Sequence, residues 1–348
     1  MTRDIERTIE FEFVRATENA ALVASLHWLG RGNKEAADGA ACDAIYGVMG
    51  MVDICGECMI GEGIKDNAPG IFMGDKLGSW KEGSPRFEIA LDPIDGTSNI
   101  AKGLPNSISV IGATLVLDGK PGIKNLPGFY SEKLSYGPKV IEYMHKLGVN
   151  HIKLDNSVED TLPLIAASLG KRVSELVIVT LDRPRNQHII DQVRAVGASL
   201  RMVSDGDITA AVAPSLPDSG VDLYWGIGGT PEAILTAIGL KCLGGNIQTR
   251  MWFRNEAEKK EQCTGMSEAD IKKTYHVNDL VPCDSAIFCA TGISDSPLLP
   301  GVKFIGRTAR TKSILMRAKS KTVRYIEAVH DLEHKRIPMG RDNGYHHI

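Results

Sequence analysis

The sequence has little net charge, few aromatic residues and no long apolar run. Its formal net charge is −3 at pH 7 and its aromatic content is 6%. A nearly neutral chain offers no general basic surface for nucleic acid or anionic membranes. No apolar run approaches the roughly 18 residues of a membrane-spanning helix, so a membrane protein is not expected either. Residues 1–13 alternate charged and apolar side chains and do not form a signal-peptide core, so we expect a cytoplasmic protein.

The sequence also lacks a disulfide framework. Its seven cysteines are an odd number scattered over a long chain, unlike the dense paired cysteines of small secreted domains. Cys55 and Cys58 form the only close pair, and one Cys-x-x-Cys without a second is weak evidence for zinc. We expect buried free thiols at both positions. A redox-sensitive pair is the alternative, because cytosolic disulfides are mostly regulatory.

The length and composition are those of a globular protein large enough for two lobes. The chain has 348 residues, of which 43% are hydrophobic and 24% charged. We expect an N-terminal α+β lobe over residues 1–138 and a C-terminal α/β lobe over residues 139–333. Residues 334–348 read as a polar tail whose histidines, His346 and His347, are expected to be disordered and not to bind a metal.

One short stretch, residues 91–99, organises the first lobe. An alternating apolar pattern leads into it and predicts a half-buried strand, which Pro93 is expected to end. Asp92 and Asp95 then lie at the rim of a sheet, beside the hydroxyl of Thr97 and a predicted helix start. Carboxylate oxygens suit Mg²⁺ or Mn²⁺, and helix-start amides suit a phosphate. A turn that only reverses the chain is the alternative.

Two further carboxylates of this lobe are candidate metal ligands. Asp38 lies one residue off the apolar stripe of a predicted helix, where either metal binding or simple compensation of the helix dipole is possible. Glu62 lies at a predicted strand end between Gly61 and Gly63, which leave the carboxylate uncrowded. A plain glycine turn is the alternative at this second position.

The second half of the chain repeats a strand, a loop and a helix three times. This order predicts a mostly parallel sheet covered on both faces, with a ligand site at the carboxyl ends of its strands. The three loops at those ends contain Arg183-Pro184-Arg185, Asp205-Gly206-Asp207 and Gly226 to Glu232. Two arginines held by a proline suit bidentate recognition of a phosphate.

With these motifs assembled, the chain resembles the class II fructose-1,6-bisphosphatases of bacteria, within the lithium-sensitive, metal-dependent sugar-phosphatase superfamily. The resemblance extends from about residue 10 to about residue 330. It rests on ordered motifs: Gly30-Arg31-Gly32 with Lys34 and Asp38, Ile60-Gly61-Glu62-Gly63 with Asp66, Asp92-Pro93-Ile94-Asp95-Gly96-Thr97, the three loops above, and Ala290-Thr291-Gly292-Ile293. It implies a layered α/β/α/β/α sandwich of two lobes and a homodimer or homotetramer.

The resemblance also implies roles for individual residues. Asp38 and Glu62 would hold one divalent ion, and Asp92, Asp95 and Glu232 a second, with Mn²⁺ or Mg²⁺ as the metal. Thr97 would be catalytic together with Asp38 and Glu62. The implied substrate contacts are Lys34, Asp95, Gly96, Thr97, Tyr130, Arg183, Pro184, Arg185, Asp205, Gly206, Asp207 and Gly229.

The implied reaction is hydrolysis of the 1-phosphate of fructose 1,6-bisphosphate, a step of gluconeogenesis. Sedoheptulose 1,7-bisphosphate fits the two arginines equally well. An inositol or nucleotide phosphatase and a non-catalytic sugar-phosphate sensor are further alternatives. An aspartyl nucleophile at Asp92 is disfavoured, because aspartyl-phosphate enzymes usually place their second Asp two residues on, and Asp95 is three residues on.

The sequence departs from the family pattern at three places. Asn186 follows Arg-Pro-Arg where relatives often have His, which puts contacts to the distal phosphate in question. Ile64 replaces an acidic residue that often follows Gly-Glu-Gly. Cys55 and Cys58 have no counterpart in the pattern.

Overall fold

The computed structural model describes residues 5–61, 70–148, 151–340 and 344–347. The chain divides into two compact units, the first from residues 1–123 and 282–348 and the second from residues 124–281. This division differs from the expected boundaries at 138 and 333. The physical reason is strand pairing, since strands after residue 282 complete the sheet that begins in the N-terminal part of the chain.

Within the described residues, secondary structure covers most of the chain. The helices are α1 (Ile5–Trp28), α2 (Lys34–Met49), α3 (Thr97–Lys102), α4 (Pro138–Leu147), α5 (Val158–Leu169), α6 (Gln187–Val196), α7 (Ile208–Val212), α8 (Thr230–Leu243), α9 (Glu256–Gln262), α10 (Glu268–Lys272) and α11 (Val277–Leu280). The strands are β1 (Cys55–Ile60), β2 (Lys76–Leu77), β3 (Arg86–Asp95), β4 (Ile108–Leu115), β5 (Tyr130–Tyr136), β6 (Val177–Leu181), β7 (Ser199–Val203), β8 (Leu223–Gly229), β9 (Asn246–Trp252), β10 (Tyr275–His276), β11 (Ala286–Gly292), β12 (Lys303–Ile305), β13 (Thr308–Arg317), β14 (Thr322–Asp331), β15 (Arg336–Met339) and β16 (Gly344–His347).

Local sequence accounts for many of the helix ends. Asn33 caps α2 by accepting a hydrogen bond from the backbone N–H of Ala36, and Ser157 caps α5 in the same way. Helices α6 and α8 end at Gly197 and Gly244, whose positive φ angles let the last carbonyls find partners. The local sequence therefore fixes the residues at which these helices begin or end.

The first unit is built on a largely antiparallel sheet. Its strand order is β12-β13-β11-β4-β3-β1-β2, with β14 also paired to β13. Among the described strands of this sheet, only β1 and β3 pair in parallel. Helices α1 and α2 pack on one face, where Phe13 and Ile45 join a core with Phe87 and Ile111 of the strands. Burial of this continuous apolar face holds α1 and α2 on the sheet.

The second unit contains a mixed sheet with the order β10-β9-β5-β8-β6-β7. The expectation of a mostly parallel sheet is wrong, although β6, β7, β8 and β9 all run in one direction. Strand β5 inserts between β8 and β9 and pairs antiparallel with both. Helices cover both faces as expected, with α4, α5 and α6 on one side and α7 and α8 on the other. The α/β class predicted from the sequence is confirmed.

Two strands, Arg336–Met339 and Gly344–His347, lie in the segment that was expected to be a disordered tail. Strands β15 and β16 pair as an antiparallel hairpin, and His346 lies in that pairing opposite Ile337. Strand β15 packs closely on α2, because Gly47 leaves no side chain between that helix and Pro338. None of the described helices combines the length and apolar character needed to cross a membrane.

Candidate active site

In the first unit, a bulge in β3 places two carboxylates on one face of the sheet. Asp92 pairs with Val110 and Asp95 with Ile108, so three steps along β3 match two along β4. Paired residues share a face and Val110 and Ile108 are two apart, so Asp92 and Asp95 point to the same side. Pro93 therefore lies inside the bulge, and the prediction that it ends the strand is wrong, because β3 continues to Asp95.

The turn after Asp95 is fixed by its backbone. Gly96 has a φ of 95°, and a Cβ added there would lie 2.5 Å from the carbonyl oxygen of Asn106. Ser107 donates a hydrogen bond to the Gly96 carbonyl, 2.9 Å away. Asn99 donates to the Asn106 carbonyl at 3.0 Å. Thr97 begins α3 directly after this turn, two residues after Asp95.

The turn between α1 and α2 is bonded to α3. The backbone N–H of Gly30 donates to Ile100 at 2.7 Å, and that of Gly32 donates to Ala101 at 2.9 Å. These bonds hold the start of α2 beside α3, and Asp38 lies half-buried in the first turns of α2. Lys34, an implied substrate contact, is exposed, with its ammonium 3.7 Å from Glu35.

The implied metal ligands are only partly described. Glu62, Asp66 and Ile64 lie outside the described residues. Among the residues that are described, no three His, Cys, Asp or Glu side chains are close enough together to hold a metal ion. The chemistry of the donors fits a hard divalent cation, because every proposed ligand is a carboxylate.

In the second unit, the predicted substrate loops meet at one edge of the sheet. Strands β6, β7 and β8 end there, and β5 begins there because it runs the opposite way. Tyr130, the first residue of β5, pairs with Gly229 at the end of β8 and with Trp252 at the end of β9. The inserted antiparallel strand thus explains how Tyr130 reaches the loops after β6, β7 and β8.

The two arginines of the loop after β6 have different partners. Arg183 is 3.2 Å from Oδ1 of Asp205 in the next loop. Arg185 donates from Nε to the Ile227 carbonyl at 2.9 Å, and its guanidinium lies 4.6 Å from the ring centre of Tyr130. Arg254, which the sequence did not single out, lies 5.8 Å from the same ring. Three guanidinium groups therefore lie at this edge, and two of them are paired with carboxylates, Arg183 with Asp205 and Arg254 with Glu258.

Asn186 has a structural role at this edge. Its side chain is fully buried and accepts a hydrogen bond from the backbone N–H of Ile227 at 2.7 Å. Its amide nitrogen donates to the carbonyls of Leu181 and Ile227 at 3.0 and 3.4 Å. Asn186 thereby joins the ends of β6 and β8.

Glu232 and Asp207 both pack against the Gly228-Gly229 pair. A Cβ on Gly229 would lie 1.9 Å from Oε2 of Glu232, and one on Gly228 would lie 2.0 Å from Oδ2 of Asp207. Within the part of the chain that the structure describes, Oε2 of Glu232 is buried and has no hydrogen-bond partner. Burial raises the pKa of Glu232, and the Lys133 ammonium opposes this rise. A buried, unpartnered carboxylate oxygen fits a residue that ligates a cation.

Two further residues, both in contact with Asp207, were missed in the sequence. Lys133 of β5 and Tyr224 of β8 are fully buried and contact Asp207, although lysine in a strand is usually exposed. The only local signal was the serine on each side of Lys133 at strand spacing, Ser131 and Ser135, which marks a polar strip along β5.

Comparisons with known proteins give a consistent result over nearly the whole chain. A family model described as bacterial fructose-1,6-bisphosphatase, glpX-encoded, matches residues 7–330. The class 2 fructose-1,6-bisphosphatase of Haemophilus influenzae is 38% identical over 341 residues, which cover 94% of this chain and 98% of that protein. Fructose-1,6-bisphosphatase 1 class 2 of Escherichia coli is 35% identical over 343 residues, covering 95% and 97%.

Among solved structures, an inositol monophosphatase from Anabaena is similar to part of the chain. The two are 17% identical, with a TM-score of 0.32 over 63% of this chain and 75% of that one. This likeness is too low to support an argument about the fold.

Proposed function

Because the chain belongs to the glpX-type family of bacterial fructose-1,6-bisphosphatases, we propose that it hydrolyses the 1-phosphate of fructose 1,6-bisphosphate. The products are fructose 6-phosphate and inorganic phosphate, as in gluconeogenesis. The family match over residues 7–330 is the observation that carries this proposal, because it spans the loops of both units.

The two arginines of the loop after β6 support a substrate with two phosphates. Arg183 and Arg185 are held on one short loop by their contacts with Asp205 and Ile227. Guanidinium groups fixed in this way bind phosphate oxygens without losing much further side-chain freedom. An enzyme for a monophosphate has no second phosphate to hold at such a loop. Sedoheptulose 1,7-bisphosphate satisfies the same requirement.

Membership of the family implies a metal-dependent phosphatase. We propose two or more Mn²⁺ or Mg²⁺ ions, with Asp38 and Glu62 as ligands of one and Asp92, Asp95 and Glu232 as ligands of another. When bound, such ions neutralise phosphate charge and make water available as a nucleophile near neutral pH. The buried, unpartnered oxygen of Glu232 and the two carboxylates on one face of β3 support this ligand set.

Thr97 is the proposed catalytic residue of the first unit. It is the first residue of α3, directly after the fixed Gly96 turn and two residues from Asp95. We propose that this hydroxyl orients the attacking water for in-line displacement and forms no covalent bond to the phosphate. Tyr130, Asp205, Asp207 and Gly229 then contact the sugar and the distal phosphate, and Lys34 contacts the substrate from the first unit.

The test is phosphate release from fructose 1,6-bisphosphate, sedoheptulose 1,7-bisphosphate and inositol 1-phosphate, each with Mn²⁺, Mg²⁺ or EDTA. We expect release from a sugar bisphosphate that depends on metal and stops in EDTA. The ratio between the two bisphosphates decides which substrate is preferred. Release from inositol 1-phosphate alone would contradict the proposal. Binding of a bisphosphate without release would identify a sensor.

We also propose that the protein acts in the cytoplasm as a homodimer or homotetramer. All seven cysteines lie in the described residues and none of them forms a disulfide, which agrees with a reducing compartment. Light scattering coupled to size-exclusion chromatography measures the oligomer, and a mass of one chain would contradict this part of the proposal.

A further inference from the structure

A buried lysine lies in the second unit and is not among the family's implied site residues. The side chain of Lys133 has no exposed surface, and its Nζ is 2.7 Å from Oδ2 of Asp207, which is itself 3% exposed. Burying an ammonium group is costly unless it is paired in a good geometry. Keeping the Lys133–Asp207 pair buried next to a substrate loop costs desolvation free energy. We therefore looked for a function that the pair serves.

Tyr224 directs a second donor to the same oxygen. Its hydroxyl donates to Oδ2 of Asp207 at 2.7 Å, the same length as the Lys133 contact. Burial and the nearby carboxylate raise the pKa of Tyr224, so the phenol stays protonated and remains a donor. Both donors therefore occupy Oδ2, and Oδ1 has no hydrogen bond from the described residues.

The third restraint on Asp207 is the backbone of β8. A Cβ on Gly228 would lie 2.0 Å from Oδ2 of Asp207 and 3.0 Å from Nζ of Lys133. The carboxylate therefore packs directly on the strand. With two donors on one oxygen and backbone against it, the orientation of Asp207 is fixed.

We propose that Lys133 and Tyr224 are positioning residues that hold the Asp207 carboxylate so that its Oδ1 accepts a hydrogen bond from a hydroxyl of the bound sugar phosphate. This inference rests on the proposed function, which makes Asp207 a substrate contact. Lys133 and Tyr224 themselves touch no substrate. They act by keeping Asp207 in a single orientation before the substrate arrives, which lowers the cost of binding.

The test compares Tyr224→Phe with Tyr136→Phe. Tyr136 is a buried tyrosine of the same sheet whose hydroxyl accepts hydrogen bonds from Asn246 and Gln248 and is not part of the Asp207 cluster. For Tyr224→Phe we expect KM for fructose 1,6-bisphosphate to rise about tenfold, as for the loss of roughly one hydrogen bond, with a much smaller change in kcat. Both variants are expected to lower Tm by similar amounts, because each loses buried hydrogen bonds. Tyr136→Phe is expected to leave KM unchanged.

Lys133→Met provides a second variant that keeps much of the side-chain length and removes the charge. We expect a larger rise in KM than for Tyr224→Phe, because the remaining donor is neutral. If Lys133→Met does not fold, Tyr224→Phe decides the question alone. A Tyr224→Phe variant with lowered Tm and wild-type KM would overturn the proposal, since a purely structural role predicts that result.

Affinity for fructose 6-phosphate, measured by calorimetry in the presence of metal, separates this inference from the proposed reaction. A wild-type protein that binds fructose 6-phosphate but releases no phosphate from fructose 1,6-bisphosphate would refute the proposed function. The loss of affinity in Tyr224→Phe would then still decide the positioning role. A wild-type protein that binds neither sugar phosphate would refute both.

Discussion

The candidate site residues of the two units are positioned by different means. In the first unit, Asp92, Asp95, Gly96 and Thr97 lie within six consecutive residues, and a bulge and a glycine turn set their geometry. In the second unit, the corresponding residues come from separate loops and are held by side chains that lie outside the motifs. Because backbone conformation sets the first arrangement, most substitutions of neighbouring side chains should leave its geometry unchanged. The second arrangement depends on the side chains of residues such as Asn186, Lys133 and Tyr224.

The largest expected effect is at Thr97, where a single hydroxyl on the fixed turn carries chemistry. Thr97→Ala should lower kcat by at least about 100-fold, the usual scale for the loss of a group that orients the nucleophile, and leave KM nearly unchanged. Thr97→Ser keeps the hydroxyl and serves as the control. Steady-state kinetics on fructose 1,6-bisphosphate measure both parameters. A loss of substrate affinity as large as the loss in kcat would contradict the catalytic role of Thr97.

The next largest effect is predicted for a pair of glycine variants, one in each unit. Gly96→Ala should lower the free energy of unfolding by about 1–3 kcal/mol, because its φ is positive and its Cβ would meet the backbone oxygen of Asn106 at 2.5 Å. At Gly229 the φ is −65°, and a Cβ would meet the end of the Glu232 side chain. Since Oε2 of Glu232 has no described hydrogen-bond partner, that carboxylate can rotate away at little cost to stability.

Gly229→Ala should therefore change stability by less than about 1 kcal/mol but raise the Mn²⁺ concentration needed for half-maximal activity. Urea unfolding and metal titration of both variants measure the two effects. Equal destabilisation by Gly96→Ala and Gly229→Ala would contradict the proposed difference between the units, because it would mean that backbone contacts fix both regions.

A smaller effect is expected at Asn186, which supports the arginine loop. Asn186→Leu leaves the buried backbone N–H of Ile227 without a partner, while the Leu181 carbonyl keeps its bond from the backbone N–H of Arg183. We therefore expect a loss of about 1–3 kcal/mol in the free energy of unfolding. Gln187→Leu alters an exposed neighbour that bonds only to Asp191 and is the control. Similar stability in the two leucine variants would show that the loop does not depend on Asn186.

The smallest effect is expected at the cysteine pair. Cys55 and Cys58 are three residues apart in β1, so their side chains lie on opposite faces and their Cα atoms are roughly 10 Å apart. A disulfide needs Cα atoms about 4.4–6.8 Å apart. Burial also raises the pKa of Cys58 to about 12, which keeps it a thiol. Dithiothreitol should leave the activity unchanged, and a response that Cys58→Ser abolishes would overturn this reading.

The sequence was most informative where the site depends on neighbours in the chain. Asp92, Asp95 and Thr97 could be recognised together because their spacing is local. The position of Pro93 could not, since a bulge arises only when β3 pairs with β4 and its register shifts. Pro93 therefore read as a strand end, which is where proline usually lies.

Local sequence patterns could not identify residues whose partners lie far away along the chain. Lys133 has a polar strip beside it in β5, which predicts an exposed face, but its partner Asp207 lies 74 residues further along the chain. The antiparallel insertion of β5 was missed for the same reason, because strand periodicity carries no information about the neighbouring strand. The loops at the ends of β6, β7 and β8 were nevertheless found, since their order along the chain indicated the edge at which they meet.

The interrupted first unit has a consequence for the order in which the chain folds during synthesis. The second unit is continuous from residue 124 to residue 281, so it can complete its sheet as soon as that segment has left the ribosome. The first unit cannot, because β11 lies between β4 and β13 and is synthesised later. The N-terminal helices and strands must therefore wait with an unfilled sheet edge while the middle of the chain folds, which reverses the usual N-terminal-first order.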